Sequence, residues 1–206
     1  MPGKPALIIG YGNPSRGDDA LGPRLLERLE ALRDADSDLD CFDTLTDFQL
    51  QIEHAMDLHG YSQVIFVDAA VNLARSFRFE LLQPSRDDSY TTHALNPAAV
   101  LAVYAEFYSE PPPESYLLSM QAERFELGEG LSRTAGQALD EAVRVDLLAD
   151  DRQGLVSGRI TALCTREVAP QVGPALRLRD VWPAFGIGVV GGIAIAEQGA
   201  AEQQTA

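Results

Sequence analysis

Apolar residues in this chain occur either as short unbroken runs or at helical spacing, and the two patterns alternate. Residues 5–10 (PALIIG) and 64–67 (VIFV) are compact apolar runs of the kind found in strands buried on both faces. Between them, residues 20–33 set Leu21, Leu25, Leu29 and Leu32 on one helical face. Residues 40–44 predict a second short strand, residues 49–59 a second helix, and residues 77–82 a weakly alternating strand. Asn96 followed by Pro97 is a cap-and-first-turn pair. It opens a helix to Tyr108 with Val100, Leu101, Tyr104 and Phe107 inward. After the Pro111–Pro113 break, residues 116–120 predict a fifth strand and residues 132–148 a long amphipathic helix. Strands alternating with helices predict an α/β fold. The expected form is a three-layer sandwich with an about five-stranded, mainly parallel twisted sheet and helices on both faces.

The character of the chain changes after Asp150, which predicts two parts: an α/β domain over 1–150 and a C-terminal extension over 151–206, partly irregular. Residues 154–164 have strand character, whereas 170–183 are irregular. The GIGVVGG run from Gly186 superficially matches a dinucleotide fingerprint. It lacks the following helix and the ribose-binding acid that such a site requires, so a packing segment is expected instead.

Composition narrows the functional classes. Net charge is −15, and every basic residue except Lys4 is arginine. Nucleic acid is excluded as a partner, because phosphate binding needs a cationic surface; a cationic partner or a metal suits the charge. Cys41 and Cys164 are too few for a disulfide framework and are expected to be reduced packing groups. Neither the opening residues nor the apolar stretch around 184–196 makes a signal peptide or a span of about 20 apolar residues. The expected compartment is the cytoplasm, without a membrane partner.

In a parallel α/β sheet, ligands sit beyond the carboxyl ends of the strands. Asp18 and Asp19 follow the first strand there, and Asp68 directly follows VIFV. His93 lies in a loop before the Asn96-capped helix. Two carboxylates and an imidazole suit a borderline divalent metal such as zinc or nickel. Taken singly, each has a structural alternative: Asp18 or Asp19 as helix-start acids, Asp68 as an acceptor for strand-end amides, His93 as a surface histidine. His54 and His59 are five residues apart, on different helical faces, and are expected to be solvent-exposed.

Gly10-Tyr11-Gly12-Asn13 followed by Arg16-Gly17-Asp18-Asp19-Ala20-Leu21-Gly22 closely resembles the N-terminal signature of the [NiFe]-hydrogenase maturation endopeptidases. Val67-Asp68-Ala69 and His93 recur in the expected order, so the resemblance spans about residues 6–148. It implies that Asp19, Asp68 and His93 are the metal ligands. Many members carry glutamate where Asp19 stands, which shortens the reach here. Asp43 matches a position sometimes given a catalytic part, although the glycines that usually follow are replaced by Leu45 and its neighbours. The Arg-Gly-Asp-Asp form and the stretch Gln49-Leu50-Gln51-Ile52-Glu53 look most like members serving NAD-linked bidirectional hydrogenases.

The resemblance further implies removal of a C-terminal extension from the hydrogenase large-subunit precursor, once nickel is inserted. Nickel would be supplied by the substrate, with no organic cofactor. Neither cysteine sits in an activating motif, so attack by water is expected, with Asp43 or Asp18 handling the proton. Two other readings stand beside this one: a non-catalytic metal- or partner-binding module on the same fold, and a nucleoside- or phosphate-handling enzyme using Gly10–Asn13 as an anion loop.

Overall fold

The computed structural model describes residues 6–35, 39–85 and 95–144. The proposed extension over 151–206, its GIGVVGG run and Cys164 lie outside the described residues. Strand β1 (Ala6–Tyr11) passes through a 3-10 turn at Gly17–Ala20 into α1 (Leu21–Ala35), then β2 (Phe42–Asp47) and the single-turn α2 (His54–Asp57). β3 (Gln63–Ala70), β4 (Phe77–Leu81), α3 (Pro97–Tyr108), β5 (Glu114–Gln121) and α4 (Arg133–Arg144) follow.

The sheet order is β2-β1-β3-β5-β4. All pairings are parallel except β4 with β5, so the fifth strand in the order is an antiparallel edge. This is the expected mainly parallel sheet between two helical layers. The β1 and β3 cores are buried on both sides because each strand face meets a helical layer. Ile8, Ile65 and Val67 pack with Leu21, Leu25 and Leu26 of α1 and Ala135, Ala138 and Leu139 of α4. Leu7, Ile9, Val64 and Phe66 pack on the other face with Leu58 and with Val100, Leu101 and Tyr104 of α3. Truncating a fully buried side chain such as Phe66 to alanine costs about 3–5 kcal/mol.

Three local expectations change. The second helix is one turn rather than the length of residues 49–59, so Phe48, Ile52 and Met56 stay exposed. β2 runs on to Asp47 because it pairs with β1 along its whole length. Phe107 does not face inward: it is 66% exposed. Tyr108 packs against the core instead, stacked on His59 with ring centroids 4.4 Å apart. The capping expectation holds, with the Asn96 side chain accepting from Ala99 N at 2.8 Å.

Cys41 departs from the expected free thiol, since it is disulfide-bonded.

Candidate functional site

The sheet order creates the crevice. β1 has β2 on one side and β3 on the other, and the chain crosses it through helices on opposite faces. The connections leaving β1 and β3 diverge at their carboxyl ends, the place where open α/β sheets bind ligands. Asp19 and Asp68 occupy that place.

Asp19 stands in the 3-10 turn above β1, its Oδ2 accepting from Asn13 N at 2.9 Å. The preceding glycine makes this approach possible. Gly12 has φ of +135°, and a Cβ there would lie 2.0 Å from the Asp19 carbonyl oxygen. Any side chain would push the turn, and Asp19 with it, away from the strand. Asn13 Oδ1 closes the loop by accepting from Ser15 N at 2.9 Å.

Asp68 is in the last half of β3, beside Tyr11 of β1. Its Oδ2 accepts from Tyr11 Oη at 3.0 Å and its Oδ1 from its neighbour Ala69 N at 2.8 Å. Burial pushes the Asp68 carboxyl up to about 6, and the charge of Asp19 adds to the rise against the two hydrogen bonds. Burial and the facing Asp68 drive the Tyr11 phenol far above its ordinary range, so Tyr11 stays a proton donor. Two carboxylates thus repel one another in a partly desolvated crevice. A cation seated between them removes both the repulsion and much of the burial cost.

His93 lies outside the described residues. Among the described residues, no group of three His, Cys, Asp or Glu side chains converges as a metal site. This part of the chain contributes two carboxylates.

The structure gives Asp18 a task other than the expected proton handling. It is fully buried, and it points away from the crevice toward the segment joining β5 to α4. Oδ2 accepts from Glu123 N at 2.8 Å and Arg124 N at 3.0 Å, and Oδ1 from Ser132 N at 2.6 Å. Burial alone would raise its pKa, but these amides, with the Ser132 hydroxyl, bring it below the usual carboxylate range. A carboxylate so saturated cannot exchange protons with a substrate, and serves to rivet the Asp19 turn to the β5–α4 segment.

Asp43 does not reach the crevice either. It pairs with Leu7 near the amino end of β1, four residues before the Asp47–Tyr11 pair at the carboxyl end. At about 3.3 Å per residue this separates it from the site level by about 13 Å. Its Oδ2 accepts from Tyr61 Oη at 2.9 Å, and burial and this carboxylate push the Tyr61 phenol up to about 12. The catalytic part expected for Asp43 therefore does not fit its position.

Three residues unmarked in the sequence stand at the site level. Tyr11 shares a face with Leu7 and Ile9 by strand alternation, the one signal that would have aimed it at Asp68. Asp47 was hidden because β2 was expected to stop at Thr44. His54, expected at the surface, is buried, with Nδ1 accepting from Gln51 N at 2.8 Å and Nε2 3.3 Å from Asp47 Oδ2. His59 is exposed as expected.

No protein-family model matches the chain, and no curated protein matches it in sequence. Solved structures do resemble it. A [NiFe] hydrogenase maturation protease HycI from Thermococcus kodakarensis KOD1 superposes with a TM-score of 0.53 at 20% identity, covering 79% of this chain and 94% of that one. A hydrogenase 3 maturation protease gives 0.53 at 16% identity, covering 70% and 90%. An endopeptidase from Escherichia coli gives 0.50 at 22% identity, covering 66% and 85%. The chain shares the α/β fold of the hydrogenase maturation endopeptidases.

Proposed function

We propose that the chain is an endopeptidase of the [NiFe]-hydrogenase maturation type, which recognises the nickel of its substrate and removes the C-terminal extension of the large-subunit precursor. The observation carrying this reading is the electrostatically coupled pair Asp19 and Asp68 at the β1/β3 crevice of that fold. His93 is proposed as the third ligand. The Arg16–Asp19 and Gln49–Glu53 stretches point the proposal toward NAD-linked bidirectional hydrogenases.

The nickel here is part of the substrate. Carboxylates that repel one another bind a precursor carrying a divalent ion and reject one lacking it, which makes metal insertion the condition for cleavage. Anchoring the ion also holds the neighbouring peptide bond still, and such positioning lowers barriers substantially. The divalent charge polarises the scissile carbonyl toward attack by water. Tyr11 and the Ala69 amide each donate to one Asp68 oxygen and so fix the carboxylate's orientation, while each oxygen keeps a lone pair that could meet an ion. The same pair disfavours a phosphate ligand, because carboxylates beside the Gly12–Asn13 loop repel an anion.

The test is incubation with nickel-loaded and nickel-free large-subunit precursor, read by intact mass. Shortening of the loaded form alone is the expected result. A folded chain that shortens neither precursor overturns the proposal, and one that binds the loaded precursor without cutting it is a binding module.

A further inference from the structure

A proton carrier is missing from the site as described. Asp18 is consumed by backbone amides, Asp43 stands at the far end of β2, and Asp19 and Asp68 are committed to the ion. Among the described residues, Asp47 is a further carboxylate at the site level. Asp47 ends β2, directly opposite Tyr11 in register, and Tyr11 in turn donates a hydrogen bond to Asp68 of β3. Its backbone carbonyl accepts from Gly12 N at 3.0 Å, tying β2 to the loop that seats Asp19. Alternation along β2 puts Asp47 on the same side as Leu45, which packs with Tyr11 against the α3 layer. Asp47, Tyr11 and Asp68 therefore form one row across three strands on one face. Two strand spacings set the outer backbones about 10 Å apart, enough for a substrate segment between the carboxylates.

The Asp47 side chain is held rather than loose. Its Oδ1 accepts from Phe48 N at 2.6 Å, and its Oδ2 faces His54 Nε2 at 3.3 Å. His54 Nδ1 already accepts from Gln51 N, so a neutral imidazole carries its proton on Nε2, the nitrogen that faces Asp47. The imidazole is 7% exposed, whereas the Asp47 side chain is 31% exposed. A buried imidazole thus fixes the position of a carboxylate that remains open to solvent and substrate, the reach a general base requires.

Resting on the function proposed above, we infer that Asp47 is the general base and acid of the cleavage, with His54 as its positioning residue. Asp47 takes a proton from water as the water oxygen bonds to the scissile carbonyl carbon. The C–N bond then breaks, and the amine leaves with the proton returned from Asp47. One water is consumed and the carboxylate is regenerated.

The experiment measures kcat and KM on nickel-loaded precursor by intact mass. Asp47→Asn is expected to lower kcat at least about 100-fold, the usual contribution of a positioned base, with KM nearly unchanged. His54→Leu is expected to lower kcat about 10-fold, and His54→Gln, which retains a donor for Asp47, to recover most of it. If Asp47→Asn fails to fold because its amide faces the His54 donor, Asp47→Asn combined with His54→Gln supplies an acceptor and tests the same loss. Wild-type kcat in a folded Asp47→Asn chain, or a change confined to KM, overturns the assignment while leaving the proposed function intact. A wild-type chain that cleaves nothing overturns both.

Discussion

Tyr11 and Asp68 lie side by side on neighbouring strands, the phenol oxygen 3.0 Å from Asp68 Oδ2. That bond is among the few forces holding the Asp68 charge in place, since burial and Asp19 both oppose ionisation there. Tyr11→Phe is expected to move the Asp68 carboxyl above about 6 and to cost about 1 kcal/mol of stability, the net value of one hydrogen bond. Carbon-detected NMR titration of Asp68 and urea unfolding read the two effects. An unchanged titration shows that the phenol has no part in tuning the carboxylate.

Stability of the metal-free chain carries the signature of Asp68. The folded state raises this group from 3.8 to about 6, so it holds the proton more tightly than the unfolded chain does. The contribution is fully present below about pH 4 and is lost as pH rises through about 6. Asp68→Asn removes that term, and the difference between the two proteins is expected to grow by about 2 kcal/mol in favour of the variant between pH 4 and pH 7. Urea midpoints across that range measure it; a constant difference refutes the raised value.

Asp18 has the opposite sign. Its folded pKa is lowered, so its contribution is present above its unfolded value and disappears as pH falls through the folded one. Asp18→Ala leaves the Glu123, Arg124 and Ser132 amides without their carboxylate and is expected to destabilise by about 3 kcal/mol or more. Thermal and urea unfolding near pH 7 test this. Wild-type stability in the variant means that the rivet is dispensable.

The opening of α1 meets β1 at two glycines. A Cβ on Gly22 would lie 2.5 Å from the Tyr11 carbonyl oxygen, and one on Gly10 would lie 2.6 Å from that of Gly22. At Gly22 it is backbone, not a movable side chain, that stands in the way. Gly22→Ala is expected to cost about 2 kcal/mol by forcing helix and strand apart. It also moves the Asp19 turn, so affinity for nickel-loaded precursor is expected to fall with stability; calorimetry and melting curves check both.

His93→Ala is expected to abolish processing while the melting temperature stays near wild type, because a loop ligand adds little to the core. Intact-mass kinetics decide it, and processing at the wild-type rate removes His93 from the site.

Much of the fold was legible because its signals are local. VIFV and PALIIG are too short and apolar to be anything but buried strands, and the Leu21, Leu25 and Leu29 spacing matches the α1 stripe that is buried. Asn96-Pro97 marked its helix start for the same reason, since a cap is made within one turn. Asp19 and Asp68 were legible as strand-end acids. What failed was decided at a distance. Asp18 and Asp19 are adjacent and chemically identical, and only the position of the β5–α4 segment makes one a rivet and the other a ligand candidate. Asp43 and Asp47 exchange their prospects because parallel pairing with β1 extends β2 and fixes which of them stands level with Tyr11.

The chain alone determined the class of fold, the run of strands and helices, and the acidic chemistry near the carboxyl ends of β1 and β3, because periodicity and residue type act over a few neighbouring positions. The tertiary structure alone decided which carboxylates share the crevice, which is saturated by amides, and where His54 points. Those outcomes depend on desolvation and on register between segments far apart in sequence, which no short stretch encodes.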